Sequence, residues 1–304
     1  MIDTNAIVLL FTATIALASP LLFAALGELI SERAGILNIN LEAMMLGGAF
    51  CGVWAASATT SLFAGFVGAG LAGVVIAAAH GVLCIVLRAE QVVSGVALNI
   101  LVLGTTTYGA GAVFGSNIGR SVDTLVAWPI PFLSDVPLIG PVLFDQTVAT
   151  YIAFLLVPLV WWGINRTVAG LALQATGEQP AAAISMGINV RLSRWIALLT
   201  CGALAGIGGG QLTLAGLGTF TPNVTAGRGF IALAAVVFGR WTPSGAMVAI
   251  LLFTLIESLQ VRAQILGIKL PYQVLVMAPY LATIIALTLF MKRMKAPRGL
   301  GINV

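Results

Sequence analysis

The chain alternates long apolar blocks with short charged interruptions. Stretches free of charged side chains run from Thr4 to Gly27, Ala43 to Leu87, Gln91 to Gly119, Gln146 to Asn165, Trp195 to Gly227, Trp241 to Ile256 and Leu270 to Met291. A helix needs about 20 apolar residues to cross the hydrocarbon core. The 45-residue stretch from Ala43 to Leu87 therefore holds two passages, with its break at SATTS, Ser57 to Ser61. Backbone N–H and C=O groups in lipid must be satisfied within the segment, which makes helices the spanning element for blocks of this length. The pattern predicts an all-α polytopic membrane protein, one domain over residues 1–304, with about nine passages, broken or re-entrant in places.

Composition agrees: 60% of the 304 residues are hydrophobic and 8% charged, and the mean hydropathy is +1.07, outside the balance of a soluble domain. Lysine and arginine set the orientation, because cytoplasmic loops are enriched in them. Placing the tail KRMKAPR in the cytoplasm and alternating backward puts Arg33, Arg88, Arg166, Arg191, Arg194 and Arg240 on the same side; with the four in the tail these are ten of fourteen cations. The N-terminus is then outside and the C-terminus cytoplasmic. Asp3 stands where a signal peptide would carry a basic leader, so the first span is expected to be retained. The largest outer segment, about residues 115–145, carries Asp123, Asp135 and Asp145 among Pro129, Pro131, Pro137 and Pro141, and reads as a loop with room for a short surface helix. The net charge of +4 reflects the positive tail and implies no nucleic-acid partner.

Between Arg166 and Arg194 lies one polar stretch, GLALQATGEQPAAAISMGINVRLSR, punctuated like a very short helix. Pro180 suits a first helical turn, where its missing N–H is not needed, and Gly187 suits the left-handed position that ends a helix. The roughly seven residues between them make a rod of about 10 Å. That is too short to span a bilayer, and arginines flank it. It reads as a cytoplasmic knob between two membrane helices, shaped to be gripped; the plainer alternative is an amphipathic loop helix.

Two further polar interruptions fall at membrane depth. Residues 27–50, GELISERAGILNINLEAMMLGGAF, place Glu28, Glu32, Arg33, Asn38, Asn40 and Glu42 just before the second span. Residues 210–230, GQLTLAGLGTFTPNVTAGRGF, contain Phe220, Pro222, Asn223, Arg228 and Phe230, and the apolar run from Phe230 to Phe238, before Gly239, is only nine residues long. Such a segment cannot cross alone. Irregular backbone at this depth is tolerated where it lines a cavity or is buried in protein, as in transporters with discontinuous helices. Asn38, Asn40, Glu42, Phe220, Asn223, Arg228 and Phe230 are accordingly the candidates for a substrate pathway. Glu42 and Arg228 have a second reading, as caps for half-helices whose backbone groups would otherwise be orphaned. Glu257 is expected near the outer interface or paired with another helix.

No enzyme site emerges. Cys51, Cys84 and Cys201 lie in apolar windows at unrelated spacings and read as small buried hydrophobes, and His80, the one histidine, reads as a core or pore-lining residue. The sequence offers no metal or cofactor set and no G-x-x-x-x-G-K-[ST] phosphate loop, so any ATP-driven work needs another subunit. Runs such as FAGFVGAGLAG and CGALAGIGGG present small faces for close helix packing.

GILNINLEAMMLGGAF, ATGEQPAAAISMGINV, GRGFIALAAVVFGRWTPSGA and PYQVLVMAPYLATIIAL resemble, in order, motifs of the permease subunits of bacterial ABC importers, in the nucleoside and simple-sugar branch related to the ribose and branched-chain amino-acid permeases. The resemblance implies a bacterial inner-membrane protein. It further implies that two permeases, often different chains, form the pathway, that two cytosolic ATP-binding subunits grip the coupling helices, and that an external binding protein or lipoprotein delivers a small molecule. Gly177, Glu178, Pro180, Ala182 and Gly187 match the coupling segment, Asn38, Asn40 and Glu42 the approach to the second span, and Gly227 to Phe230 the start of the later half-helix. Nucleosides or purine-like compounds are the expected cargo, with simple sugars or branched-chain amino acids as alternatives. A proton- or sodium-driven carrier using Glu42, His80 or Glu257, or a passive channel, is the reading from a different class.

Overall fold

The computed structural model describes residues 4–115, 122–265, 277 and 296–302. The helices are α1 (Thr4–Arg33), α2 (Leu41–Thr59), α3 (Leu62–Gly81), α4 (Gln91–Phe114), α5 (Ile139–Leu143), α6 (Val148–Arg166), α7 (Val168–Glu178), α8 (Pro180–Ser185), α9 (Val190–Gln211), α10 (Arg228–Phe238) and α11 (Pro243–Ile265). α3 continues as a π-helical turn, Val82–Val86, and α9 as another, Leu212–Leu217. Among the described residues seven helices are long and apolar enough to cross a membrane, and α10 is too short. The protein is an all-α polytopic membrane protein. The charge-free stretch Leu270–Met291 lies, apart from Met277, outside the described residues, as does most of the KRMKAPR tail.

The predicted break between the second and third passages falls where the serines and threonines are. α2 ends at Thr59, Thr60 turns left-handed at φ +53°, and Ser61 caps α3 by accepting the Ala64 N–H at 3.4 Å. The segment between α4 and α6 contains the short helix α5 and, beyond the sequence expectation, an antiparallel pair of three-residue strands, β1 (Ala127–Pro129) and β2 (Asp145–Thr147). The same segment is tied to the π-helical end of α9, with the Val122 and Leu125 N–H groups donating to Gly218 O and Leu214 O at 2.8 and 2.9 Å.

α9 is the hub, packed along α1, α2 and α3. Its glycines explain how: a β-carbon at Gly202, Gly206 or Gly209 would overlap the carbonyl oxygen of Gly73, Ala69 or Met45 on the facing helices. Helices in lipid gain nothing from excluding water, so close backbone approach supplies the contact area instead. A second core joins α1 to α6, α10 and α11 through Leu22, Leu26, Val157, Val236 and Phe253. Within α1, Pro20 deprives the Ala16 carbonyl of its helical donor, and the Ser19 hydroxyl donates to that oxygen at 3.1 Å.

Candidate functional site

The two interruptions meet at Glu42. α10 starts inside the bundle, and the first N–H groups of any helix have no partner within it. Glu42, in the first turn of α2, supplies the acceptor: its Oε1 receives the Thr225 hydroxyl at 2.5 Å and the Gly227 N–H at 2.9 Å, and its Oε2 receives the Gly229 N–H at 2.7 Å. A carboxylate at a helix N-terminus also complements the helix dipole. The approach requires glycine at 229, where a β-carbon would lie 2.5 Å from Glu42 N and 2.8 Å from its Oε2. These are the contacts expected of Glu42 in its reading as a cap.

Residues 34–40, between α1 and α2, are irregular backbone inside protein, and distant side chains satisfy it. Gln91 Oε1 accepts the Leu37 N–H at 2.8 Å, Glu28 Oε1 accepts the Asn38 N–H at 3.2 Å, and Asn99 bridges Ile39 O and the Ala43 N–H at 2.9 Å each. Glu28, Glu32, Asn38 and Asn40 are all buried. Glu32 receives the Trp241 indole N–H, and Arg33 donates to Trp241 O, which fixes the far end of α10 to α1. The Asn38 amide donates to Cys201 Sγ at 3.1 Å, but its Oδ1 has no partner. Asn40 is the larger anomaly: fully buried, with neither amide atom bonded. An unsatisfied buried polar group costs about 1–3 kcal/mol and asks for an explanation beyond packing.

The other predicted pathway residues divide. Arg228 pairs with Glu257 of α11 at 2.7 Å, the inter-helix pairing expected of Glu257. Asn223 is exposed and left-handed at φ +58°, and Phe230 is 47% exposed on the flank of α10. Phe220 is buried edge-on against Phe50, centroids 5.3 Å apart, and Phe50 meets Phe114 in the same way at 5.8 Å. This aromatic cluster adjoins a cavity of about 560 Å³ at the ends of α2, α3 and α4, lined by Trp54, Ser57, Thr60, Ser61, Phe114 and Asp123. Sequence reasoning missed that cavity; a tryptophan beside a serine and threonine run was the only sign of it. His80 is fully buried, with Nδ1 2.9 Å from Ser94 Oγ, which is the core reading.

The knob has the anticipated ends. Gln179 breaks α7 from α8, Pro180 opens α8, and Gly187 has φ +81°. The Gly187 N–H donates to Ile184 O and the Ile188 N–H to Ala183 O, the bond pair of a Schellman cap. Asn189 then caps α9 by accepting the Leu192 N–H at 3.0 Å. Ala183 is the buried anchor, while Glu178, Ala182, Ile184 and Met186 face outward, Met186 being 82% exposed. Gly177 is buried, and a β-carbon there would overlap Arg33 O. Ile184 and Met186 are the exposed large apolar side chains of this helix and its C-terminal turn.

The family described as "Branched-chain amino acid transport system / permease component" matches residues 10–294. The chain is similar to the nucleoside ABC transporter permease protein NupC of Lactococcus lactis, with 38% identity covering 94% of this chain and 93% of that one. It is equally similar, at 38%, to the guanosine ABC transporter permease protein NupQ of Bacillus subtilis, covering 95% and 94%. The putative glucose ABC transporter permease protein TsgC13 of Haloferax volcanii is 43% identical over 86% of this chain and 79% of its own length. No solved structure matches the chain.

Proposed function

The chain belongs to the permease-component family of branched-chain amino acid transport systems, and on that premise we propose that it is the membrane-spanning subunit of an ATP-driven nucleoside importer. The observation that carries this reading is α8, a six-residue helix opened by Pro180 and closed at Gly187 that holds Ile184 and Met186 clear of the bundle. A self-sufficient carrier has no use for an exposed apolar knob beside the arginines of its positive face. Cytosolic ATP-binding subunits grip α8, with Gly177, Glu178, Pro180, Ala182 and Gly187 shaping or flanking the contact, and the C-terminus lies on the same cytoplasmic side. An external binding protein or lipoprotein delivers cargo.

In this reading Asn38, Asn40, Asn223 and Phe230 serve the cargo, while Glu42 and Arg228 hold the half-helix α10 in place. Asn40 supports the cargo role because its amide has no partner of its own. Phe230 and the Arg228–Glu257 pair sit partly open on the flank of one chain, which supports a second permease as the facing wall. A nucleoside presents ribose hydroxyls and base edges that need such donors and acceptors. The likeness to TsgC13, a putative glucose permease, favours a sugar as the second reading.

Substrate-stimulated ATP hydrolysis separates the two. In the reconstituted complex with its binding protein, guanosine or adenosine is expected to raise hydrolysis several-fold over the basal rate, with glucose and leucine leaving it at baseline. Stimulation by glucose alone would move the cargo to sugars and leave the transporter class standing.

A further inference from the structure

The segment Ala296–Ile302 lies beyond the residues matched by the family and was read from sequence only as the end of a positively charged tail. It is instead docked. The Gly299 N–H donates to Gly177 O at 2.7 Å, at the end of α7, and the Gly301 N–H donates to Gly35 O at 3.2 Å, in the α1–α2 connection. Arg194 of α9 donates through Nη1 to Ile302 O at 2.8 Å. Pro297 and Gly299 are buried, and Leu300 packs against the bundle core.

The seat is shaped for this segment. A β-carbon on Gly299 would lie 2.7 Å from Gly177 O and 3.0 Å from the Pro180 ring, so only glycine passes beneath the start of α8. Gly301 has φ +77°, a conformation that side-chain-bearing residues rarely adopt. Arg194 is 4% exposed, and its Nε and Nη2 have no partner, so the bond to Ile302 O stands alone among otherwise unsatisfied buried donors. A guanidinium buried with a single acceptor is costly, so its bond to Ile302 O carries weight.

We propose that Ala296–Ile302 is a positioning strap that makes the knob and the α1–α2 connection move as one body. A displacement of α8 then reaches Asn38 and Asn40 and, through the Glu42 cap, α10. One end of the strap holds the α7–α8 junction and the other holds Gly35, five residues before Asn40. Its backbone bonds are directional, so they transmit a pull that loose van der Waals contact would not. The inference rests on the reading of α8 as the ATPase contact.

The test uses the full transporter in proteoliposomes, measuring ATPase bound per permease and substrate moved per ATP hydrolysed. Gly299→Val and a chain truncated after Ala296 are expected to bind ATPase and hydrolyse ATP normally while moving about tenfold less substrate per ATP, the size of a typical coupling free energy. Arg194→Met should share the defect, and Arg194→Lys, which keeps a donor for Ile302 O, should recover part of it. A purely structural strap would lower the amount of assembled transporter and leave the ratio per assembled complex unchanged; that result overturns the proposal. Loss of ATPase binding in Gly299→Val also overturns it, by making the strap part of the docking face. If the truncated chain fails to insert, Gly299→Val and the Arg194 pair decide. Met186→Asp is run in parallel: if it leaves ATPase binding intact, the reading of α8 fails, whereas if it loosens binding and the strap variants keep the wild-type ratio, the strap inference fails alone.

Discussion

Glu42→Ala is expected to destabilise the purified permease by on the order of 3 kcal/mol, because it removes a charged acceptor from three donors at once and orphans the Gly227 and Gly229 N–H groups inside the bundle. Neither lipid nor a packed interior can replace that acceptor. Glu42→Gln keeps a carbonyl oxygen in place but loses the charge, so it should lose roughly half as much. Equilibrium unfolding in mixed micelles measures both. Equal stability of Glu42→Ala and the wild type would show that the carboxylate is not the cap that holds α10 and would return it to the pathway.

Met186→Asp is expected to weaken ATPase binding by about thirtyfold, equivalent to about 2 kcal/mol, the loss typical of an apolar anchor at the centre of an interface. Met186 is 82% exposed and Ile184 52%, so neither supports the fold of the permease, and Ile184→Asp should act in the same direction. Insertion, yield and thermal stability should stay at wild-type values in both variants. Affinity measured with purified ATPase and detergent-solubilised permease provides the check; unchanged affinity in the double variant would show α8 to be a connector.

Local chemistry was legible wherever a residue does its work on its neighbours. The break at Ser57–Ser61 was readable because serine and threonine cap helices and a 45-residue apolar block must turn somewhere. Pro180 and Gly187 announced α8 because each favours a backbone state found at one end of a helix. Glu42 was visible as a polar group at a costly depth, but its partners lie more than 180 residues away, so sequence could not choose between cap and cargo contact. The docking of Ala296–Ile302 escaped entirely: GLGI has no amphipathic period, and its glycines fit against the Gly35 and Gly177 backbone and the Pro180 ring, which spacing cannot bring together. The β1–β2 pair escaped for a similar reason, since each strand has only three residues and Pro129 ends one of them.

The central claim is that this chain moves cargo only when a separate ATPase drives it, and proteoliposome uptake tests it most directly. Radiolabelled guanosine is offered, with external binding protein, to vesicles holding either the chain and its permease partner alone under an imposed proton or sodium gradient, or the same permeases with ATPase subunits and ATP on the cytoplasmic face. The account predicts accumulation against a gradient only in the second case, abolished when ATP is replaced by a non-hydrolysable analogue. Gradient-driven accumulation by the permeases alone would contradict it and establish an ion-coupled carrier.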